Sequence, residues 1–521
     1  MWPHKKADGH SDLGGGAASV VTLLDELLAS QRRLHTPVAE FASQHDRAPD
    51  YLKQWQRLIP LTKPQADEQY AFEVNLDACT GCKACVVACH SLNGLDESES
   101  WRDTGAIGVQ TVTTACHHCA DPACANGCPT LAYEKDAVTG VVRHLDDQCI
   151  GCSYCTMKCP YDVPKYNDRL GIVRKCDMCQ GRLAEGEAPA CVQSCPNGAI
   201  TIRKVKREGI PSAGSMLPGA WESSYTRPAT RYVTIKPAAS SVTPSPLREE
   251  HSHPPLAAML VLTQMAAGAF LFAALANDIY LGAFAASILF AGLGASILHL
   301  GQPLKAWKAF LGWRKSWLSR EIIAFNATAA AATGVLVSLF IPALRPLAPV
   351  LLWLSAVFGA GAVFTSIMVY VDTRRPFWAL PVTAVKFAGT ALLLGAGSAA
   401  VMWSWTAHPA ANPAALITWS LLLFVSAWEL QSLRRAGRDA ASPWHRSALI
   451  MQQLQPRLLR ARLVLLVATG VVLPVSALLF PGAAPVILTA ALLATAASQF
   501  IERHQFFTAA AAPAMPGCST S

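Results

Sequence analysis

Residues 79–89 read Cys-Thr-Gly-Cys-Lys-Ala-Cys-Val-Val-Ala-Cys, and the spacing Cys79-x2-Cys82-x2-Cys85-x3-Cys89 decides how the polar half of this chain folds. The pattern returns three times with variations. It recurs as Cys116-x2-Cys119-x4-Cys124-x3-Cys128-Pro129, as Cys149-x2-Cys152-x2-Cys155-x3-Cys159-Pro160 and as Cys176-x2-Cys179-x11-Cys191-x3-Cys195-Pro196. Sixteen of the seventeen cysteines fall in these runs. In the first and third, three close thiolates have the spacing that grips one iron–sulfur cube while the fourth reaches a neighbouring cube. At four thiolates per cube the runs would supply four [4Fe–4S] clusters with none left over.

Structural zinc also uses CxxC pairs, but as two separated pairs rather than four close runs of four. Disulfides belong to small, loop-rich secreted domains, and this chain is long and shows no secretory signal in its first thirty residues. The pair Arg32-Arg33 follows a helical stretch and precedes polar residues, so it is not a twin-arginine signal. Cys518, in a Pro/Ala/Ser-rich tail, is expected to be a free thiol.

The composition hides two unlike halves. Of 521 residues, 52% are hydrophobic and only 15% charged, with mean hydropathy +0.28. Polar, cysteine-rich sequence runs to about residue 250, and nearly continuous apolar sequence follows. The formal charge of +8 counts each cysteine as neutral, so anionic clusters would offset much of it. Nucleic-acid binding is therefore not read from the basic balance.

Five regions follow. Residues 1–68 form an N-terminal extension, partly helical, with Val21, Leu24, Leu27 and Leu28 at helical spacing in Val20–Ser30. Residues 69–202 hold the clusters, with β-prone stretches at Tyr70–Leu76, Gly140–His144 and Ala199–Arg203, in an α+β tandem ferredoxin-like domain. Residues 203–254 read as a Pro/Ser-rich linker. Residues 255–505 read as an all-α eight-helix transmembrane bundle, each apolar run near the ~20 residues that cross hydrocarbon as a helix. Residues 506–521 read as a disordered tail.

Eight spans put both ends of the bundle on one side of the membrane. The connections on that side, with the C-terminal tail, carry fifteen Lys and Arg residues, Arg503 and Arg462 included, against Arg345 alone on the other. The positive-inside rule assigns the rich side, and with it the cluster domain, to the cytoplasm of a bacterial inner membrane.

At that face, His299-Leu300-Gly301-Gln302-Pro303 ends the second span and Ser319-Arg320-Glu321-Ile322 opens the third. A histidine and a carboxylate on consecutive helices are the parts a quinone site needs, one to hydrogen-bond a quinone oxygen and one to exchange the accompanying proton. Anchoring of helix ends is the plainer reading. Lys386 and Glu429 are further candidates because intramembrane charge is costly; each could relay protons or pair with a neighbouring helix. A membrane haem would need facing histidines within the bundle, and His299, His408, His445 and His504 all lie away from mid-span, so no haem is expected.

These residues resemble two subunits of anaerobic dimethyl sulfoxide reductase and related complex iron–sulfur molybdoenzymes, joined in one polypeptide. Residues 70–235 are similar to the four-cluster subunit through Cys79-Thr80-Gly81-Cys82-Lys83-Ala84-Cys85, Cys116-His117-His118-Cys119, Cys149-Ile150-Gly151-Cys152 and Lys175-Cys176-Asp177-Met178-Cys179. Residues 255–505 are similar to the membrane anchor through His299-Leu300-Gly301-x-Pro303 and Ser319-x-Glu321-Ile322.

The resemblance implies that Cys79, Cys82 and Cys85 share a cluster with Cys195, and Cys176, Cys179 and Cys191 with Cys89. It likewise implies that Cys116, Cys119 and Cys124 pair with Cys159, and Cys149, Cys152 and Cys155 with Cys128. It implies a site for menaquinone or ubiquinone at His299 and Glu321, with Arg320 beside them, and a separate molybdopterin subunit that carries substrate catalysis. The expected partners are that subunit, the quinone pool and membrane lipid, with no nucleic acid. Two features depart from the family: the fusion itself, and a charge pattern that favours a cytoplasm-facing relative of the sulfite dehydrogenase kind. A similar module of a hydrogenase or polysulfide-reductase complex is the alternative, and a membrane redox sensor the alternative from another class.

Overall fold

A computed structural model of the protein describes residues 22–33, 58–97, 99–236, 247–440, 442–511 and 515. Residues 1–57 and 58–521 form separate compact units. In the first, the helix expected over Val20–Ser30 is found at Leu23–Arg33, with Leu23, Leu24, Leu27 and Leu28 all exposed.

The cluster domain is built on a small sheet that closes its two ends together. Strand Glu68–Asn75, whose Gln69–Phe72 are all buried, pairs antiparallel with Ile200–Lys206, Phe72 opposite Ile202. On its other edge it pairs parallel with Arg231–Val233. The supposed linker from 203 is thus partly a piece of this domain, because its first residues extend one strand and residues 231–233 supply another. Three hairpins complete the scaffold: Asp103–Ile107 with Gln110–Thr114, Tyr133–Lys135 with Val142–His144, and Lys165–Asn167 with Ile172–Arg174. The Pro237–Pro246 stretch lies outside the described residues.

Each cysteine run bends around its own loop and then enters a short helix. Those helices pair across the sequence. Ala84–Asn93 of the first run packs on Ala190–Gln193 of the fourth, and Ala123–Gly127 of the second on Tyr154–Lys158 of the third. Two lobes result, each built from two runs.

Among the described residues the anchor has eight helices long and apolar enough to cross a membrane: Pro254–Ala276, Ile279–Ile297, Trp317–Phe340, Ala348–Val371, Leu380–Trp405, Ala411–Arg438, Pro456–Leu479 and Ala484–Thr508. The first and fifth lie at the centre of the bundle, where their apolar residues are the most completely buried. Gly268 and Gly395 let these two backbones touch, since a Cβ on Gly268 would meet the Ala391 carbonyl at 1.8 Å. Asp278 caps the second span by accepting from the Tyr280 and Leu281 amides, and its other oxygen takes the indole of Trp403 at 2.9 Å.

The last span runs beyond its apolar stretch. Phe506 and Phe507, expected in a disordered tail, are buried against Tyr370, Trp378 and Phe387 instead. Arg503 is fully buried inside this helix and does not belong among the tail charges. Arg462 likewise sits inside the seventh span, bound to Glu429. With both removed, the charge asymmetry between the two faces persists. Cys518 and the final residues lie outside the described ones.

Lys386 and Glu429 are not isolated. Lys386 stands between Glu429, at 3.5 Å, and Glu502; Arg462 holds the other oxygen of Glu429. Arg503 completes the group beside Glu502 and donates to Gln264 and Thr390. Three cations and two carboxylates from four helices therefore offset one another down to a single net positive charge, and such pairing is how buried charge is tolerated in hydrocarbon.

Candidate iron–sulfur and membrane-interface site

The thiols gather in four quartets drawn crosswise from the runs. Cys79 has Cys85, Cys195 and Cys82 as charged neighbours. Cys89 lies beside Cys191 and Cys179, and Cys176 beside Cys89 and Cys191. Cys119 is grouped with Cys116, Cys159 and Cys124, and Cys155 with Cys152, Cys149 and Cys128.

The loops that hold them share one device. After Cys128-Pro129 the backbone turns through Leu131 at φ 55°, and the amide of Ala132 returns to the Cys128 sulfur at 3.2 Å. After Cys195-Pro196, Gly198 at φ 59° lets the amide of Ala199 do the same at 3.2 Å. After Cys159-Pro160, Asp162 at φ 54° turns the amide of Val163 to the Cys159 sulfur. The first run has no proline; its helix continues, and the Asn93 side chain approaches Cys89 Sγ at 3.6 Å. Proline stops each helix where the backbone must turn, and the returning N–H stabilises negative charge on sulfur.

The donor set fits multi-iron clusters. Burial first, and the neighbouring thiols second, push Cys89 up to about 12 and raise Cys119, Cys155 and Cys176 far above the usual thiol range. Such thiols need a bound cation to become thiolates, and a coordinating metal removes the proton outright. Among the described residues no three ligand side chains converge on a single-ion point, which disfavours zinc.

The quartets stand in a row. Cys85 adjoins Cys191, and Cys176 adjoins Cys116. Tyr133 lies between Cys124 and the Cys155–Cys128 group. Buried cations mark two of these junctions. Arg102 lies among Cys191, Cys85, Cys176 and Cys89, and Lys175 among Cys116, Cys124 and Cys176, its Nζ 3.7 Å from Cys116 Sγ. Sequence reasoning missed both, although Lys175 directly precedes Cys176. At the outer end Cys82 is exposed and Cys79 and Cys195 are half-buried.

The other end of the row rests on the anchor. The Gln302 amide donates to the Ile150 carbonyl at 3.0 Å and its side chain to the Leu170 carbonyl at 2.8 Å. The Gly312 amide donates to Pro129 O at 2.7 Å, Ser316 to Gly127 O at 2.7 Å and Tyr154 to Val369 O at 2.7 Å. Lys158 forms an ion pair with Asp372 at 2.6 Å. Gly151, Gly171 and Gly301 touch backbone to backbone, and a Cβ on Gly301 would lie 2.1 Å from the Gly171 carbonyl.

A cavity of about 600 Å³ opens beside this seam, walled by Ser153 and Met157 of the third run's helix, by residues 248–255, and by His299. Burial pushes the His299 imidazole down to about 4, so it is neutral at neutral pH, and its Nδ1 is buried without a hydrogen-bond partner. Glu321 is buried, accepts from the Ser366 hydroxyl and does not line the cavity. Arg320 points elsewhere: it donates to the Trp313 and Arg314 carbonyls and lies 4.4 Å over the Trp317 ring.

Residues 250–508 match the family model of the DMSO reductase anchor subunit, and residues 107–205 that of the 4Fe-4S dicluster domain. The B subunit of anaerobic dimethyl sulfoxide reductase from Escherichia coli (strain K12) is 37% identical over 193 residues, covering 33% of this sequence and 91% of that protein. The protein belongs to the dimethyl sulfoxide reductase family. It is an iron–sulfur electron-transfer subunit fused to a multi-pass membrane anchor. The Haemophilus influenzae B subunit is 39% identical over 155 residues, 26% of this sequence and 75% of that protein. The iron–sulfur subunit of the nitrate-inducible formate dehydrogenase of Escherichia coli (strain K12) is 33% identical over 200 residues, 30% of this sequence and 68% of that protein.

Proposed function

We propose that this fused subunit carries electrons between a quinone at the membrane face and a separate molybdopterin catalytic subunit, through four [4Fe–4S] clusters. The clusters supply one-electron steps when bound. The protein's part is to order them, exclude water and tune their potentials through N–H donors and buried cations. The observation that carries the reading is the bond from Gln302 to Ile150, three residues from His299 and within the third cysteine run.

The cavity beside His299 is the quinone site. The neutral His299 ring meets a quinone oxygen and exchanges its proton, and Glu321, buried outside the cavity lining, is a positioning carboxyl of the site. Arg320 is a membrane-interface anchor through Trp317. At the far end, the exposed Cys82 loop is where the catalytic partner docks. The basic connections support a cytoplasmic cluster domain in the inner membrane, which favours a complex of the sulfite dehydrogenase kind. The likeness to a formate dehydrogenase subunit supports the same wiring with another partner.

The test is to purify the protein with its large partner. Molybdenum or tungsten in that partner, and quinol-linked turnover lost in His299→Ala while dye-linked turnover remains, are expected. A partner without either metal, or a His299→Ala complex with full quinol-linked turnover, contradicts the reading. A C-terminal reporter active only outside the cytoplasm should stay silent; a strong signal overturns the topology.

A further inference from the structure

The segment that joins the two halves, residues 247–253, does more than connect them. It is pinned at both ends of its course: Arg248 holds Asp162 of the cluster domain at 3.2 Å, and the Glu250 amide donates to the Thr508 carbonyl of the last span at 2.9 Å. Between these ties it forms one wall of the cavity that holds His299.

Two histidines on that wall lead outward from His299. His253 is half-buried, with its ring centroid 6.2 Å from that of Phe507, and the ionisable groups that act on it are His251 and His299. His251 is exposed, and its ring meets that of His253 edge to face, with centroids 4.8 Å apart. The three rings therefore grade from cavity to solvent. The cavity, at about 600 Å³, has room for a quinone head group and for ordered waters of about 30 Å³ each to bridge His299 and His253.

We propose that His299, His253 and His251 form a proton relay between the quinone cavity and the aqueous phase on the cluster side. The inference rests on the quinone reading of His299.

Each quinol oxidised breaks two O–H bonds and gives up two electrons and two protons. The electrons go to the iron–sulfur groups of the third cysteine run. Each proton goes to the free ring nitrogen of His299, passes through water to His253, then to His251 and to bulk. The relay runs twice per quinol, and in reverse when quinone is reduced.

Imidazole suits this step because it accepts at one nitrogen while releasing from the other. Burial, then the neighbouring rings, lowers His253 to about 4, so it passes a proton on instead of holding it. The charged groups that line the cavity with the rings are Arg248, Glu249, Glu250, Asp162, Lys165, Asp168 and Arg375, and Ser252 also lies 3.4 Å from His504 Nδ1.

The test uses the complete complex in membranes and follows quinol-driven reduction of the clusters optically. His253→Ala should slow it by about tenfold or more, the scale of a lost acid–base group, with a raised solvent isotope effect and partial recovery in added imidazole. His253→Gln guards against misfolding and should be equally slow with full iron content. A quinol-analogue inhibitor should bind both variants as it binds the parent. If His299→Ala is inactive yet His253→Ala and His251→Ala run at the parent rate, the relay is wrong and the quinone site stands. If His299→Ala is itself unimpaired, both readings fall. A slow His253→Ala that also loses inhibitor binding and ignores imidazole overturns the relay in favour of a structural role.

Discussion

The backbone amide of Gln302 donates to the carbonyl of Ile150 at 3.0 Å, so the membrane anchor is hydrogen-bonded to the loop between Cys149 and Cys152. This peptide unit is one of several contacts that join the apolar half of the protein to its cysteine-rich half. Hydrogen bonds of this kind contribute about 1 kcal/mol each, so the seam relies on several together with the glycine contact behind them.

That contact is a place to cut the connection. Gly301→Ala puts a methyl group 2.1 Å from the Gly171 carbonyl, a backbone atom that cannot swing away. Overpacking of this sort costs about 1–3 kcal/mol. The expected result is slow quinol-driven cluster reduction with unchanged iron content, read by rapid-mixing spectroscopy.

Buried cations between quartets are expected to raise the potentials of clusters bound there. Arg102 is fully desolvated among four thiols of two quartets. Arg102→Met should lower the potentials of both neighbouring clusters by on the order of 100 mV, as for one charge a few ångströms away at an effective dielectric near 20. A redox titration followed by electron paramagnetic resonance reads the shift, and unchanged potentials would refute it.

The crosswise quartets predict which substitutions act together. Cys89→Ser should disturb the same resonance signal as Cys176→Ser, because Cys89 lies beside Cys191 and Cys179. It should leave the signal altered by Cys79→Ser in place. Joint loss in Cys89→Ser and Cys79→Ser would mean that each run serves only its own cluster.

The intramembrane charges predict a stability effect. Lys386→Met strips Glu502 and Glu429 of their shared partner. Breaking a buried pair costs about 3–5 kcal/mol, so the melting temperature in detergent should fall. Glu502→Gln, which leaves Lys386, Arg462 and Arg503 against Glu429 alone, should cost more than Lys386→Met, which leaves each carboxylate an arginine, and a double-mutant cycle measures the coupling.

The parts legible in the sequence were those with a local signature. Cysteine spacing sits within single loops, and apolar runs of membrane length need no partner to be recognised. Pairings between distant residues left no such mark. Arg102 and Lys175 look like ordinary surface cations until folding brings other cysteine runs around them. Arg231–Val233 is a three-residue parallel strand with no alternation to read. Arg503 follows an apolar stretch and so resembled a tail charge, whereas the helix carries it inward to Glu502 and Gln264. Lys386 and Glu429 stood out because charge within an apolar run is conspicuous, but their partners lay at the ends of other spans. Glu321 and Arg320 adjoin in sequence, yet one turns into the bundle and the other to the interface.

The central claim is that sixteen cysteines hold four cubes in a row. Iron and acid-labile sulfide analysis of the purified complex tests it most directly. The account predicts about sixteen of each per polypeptide, four per quartet. About eight of each, or zinc in place of iron, would contradict it.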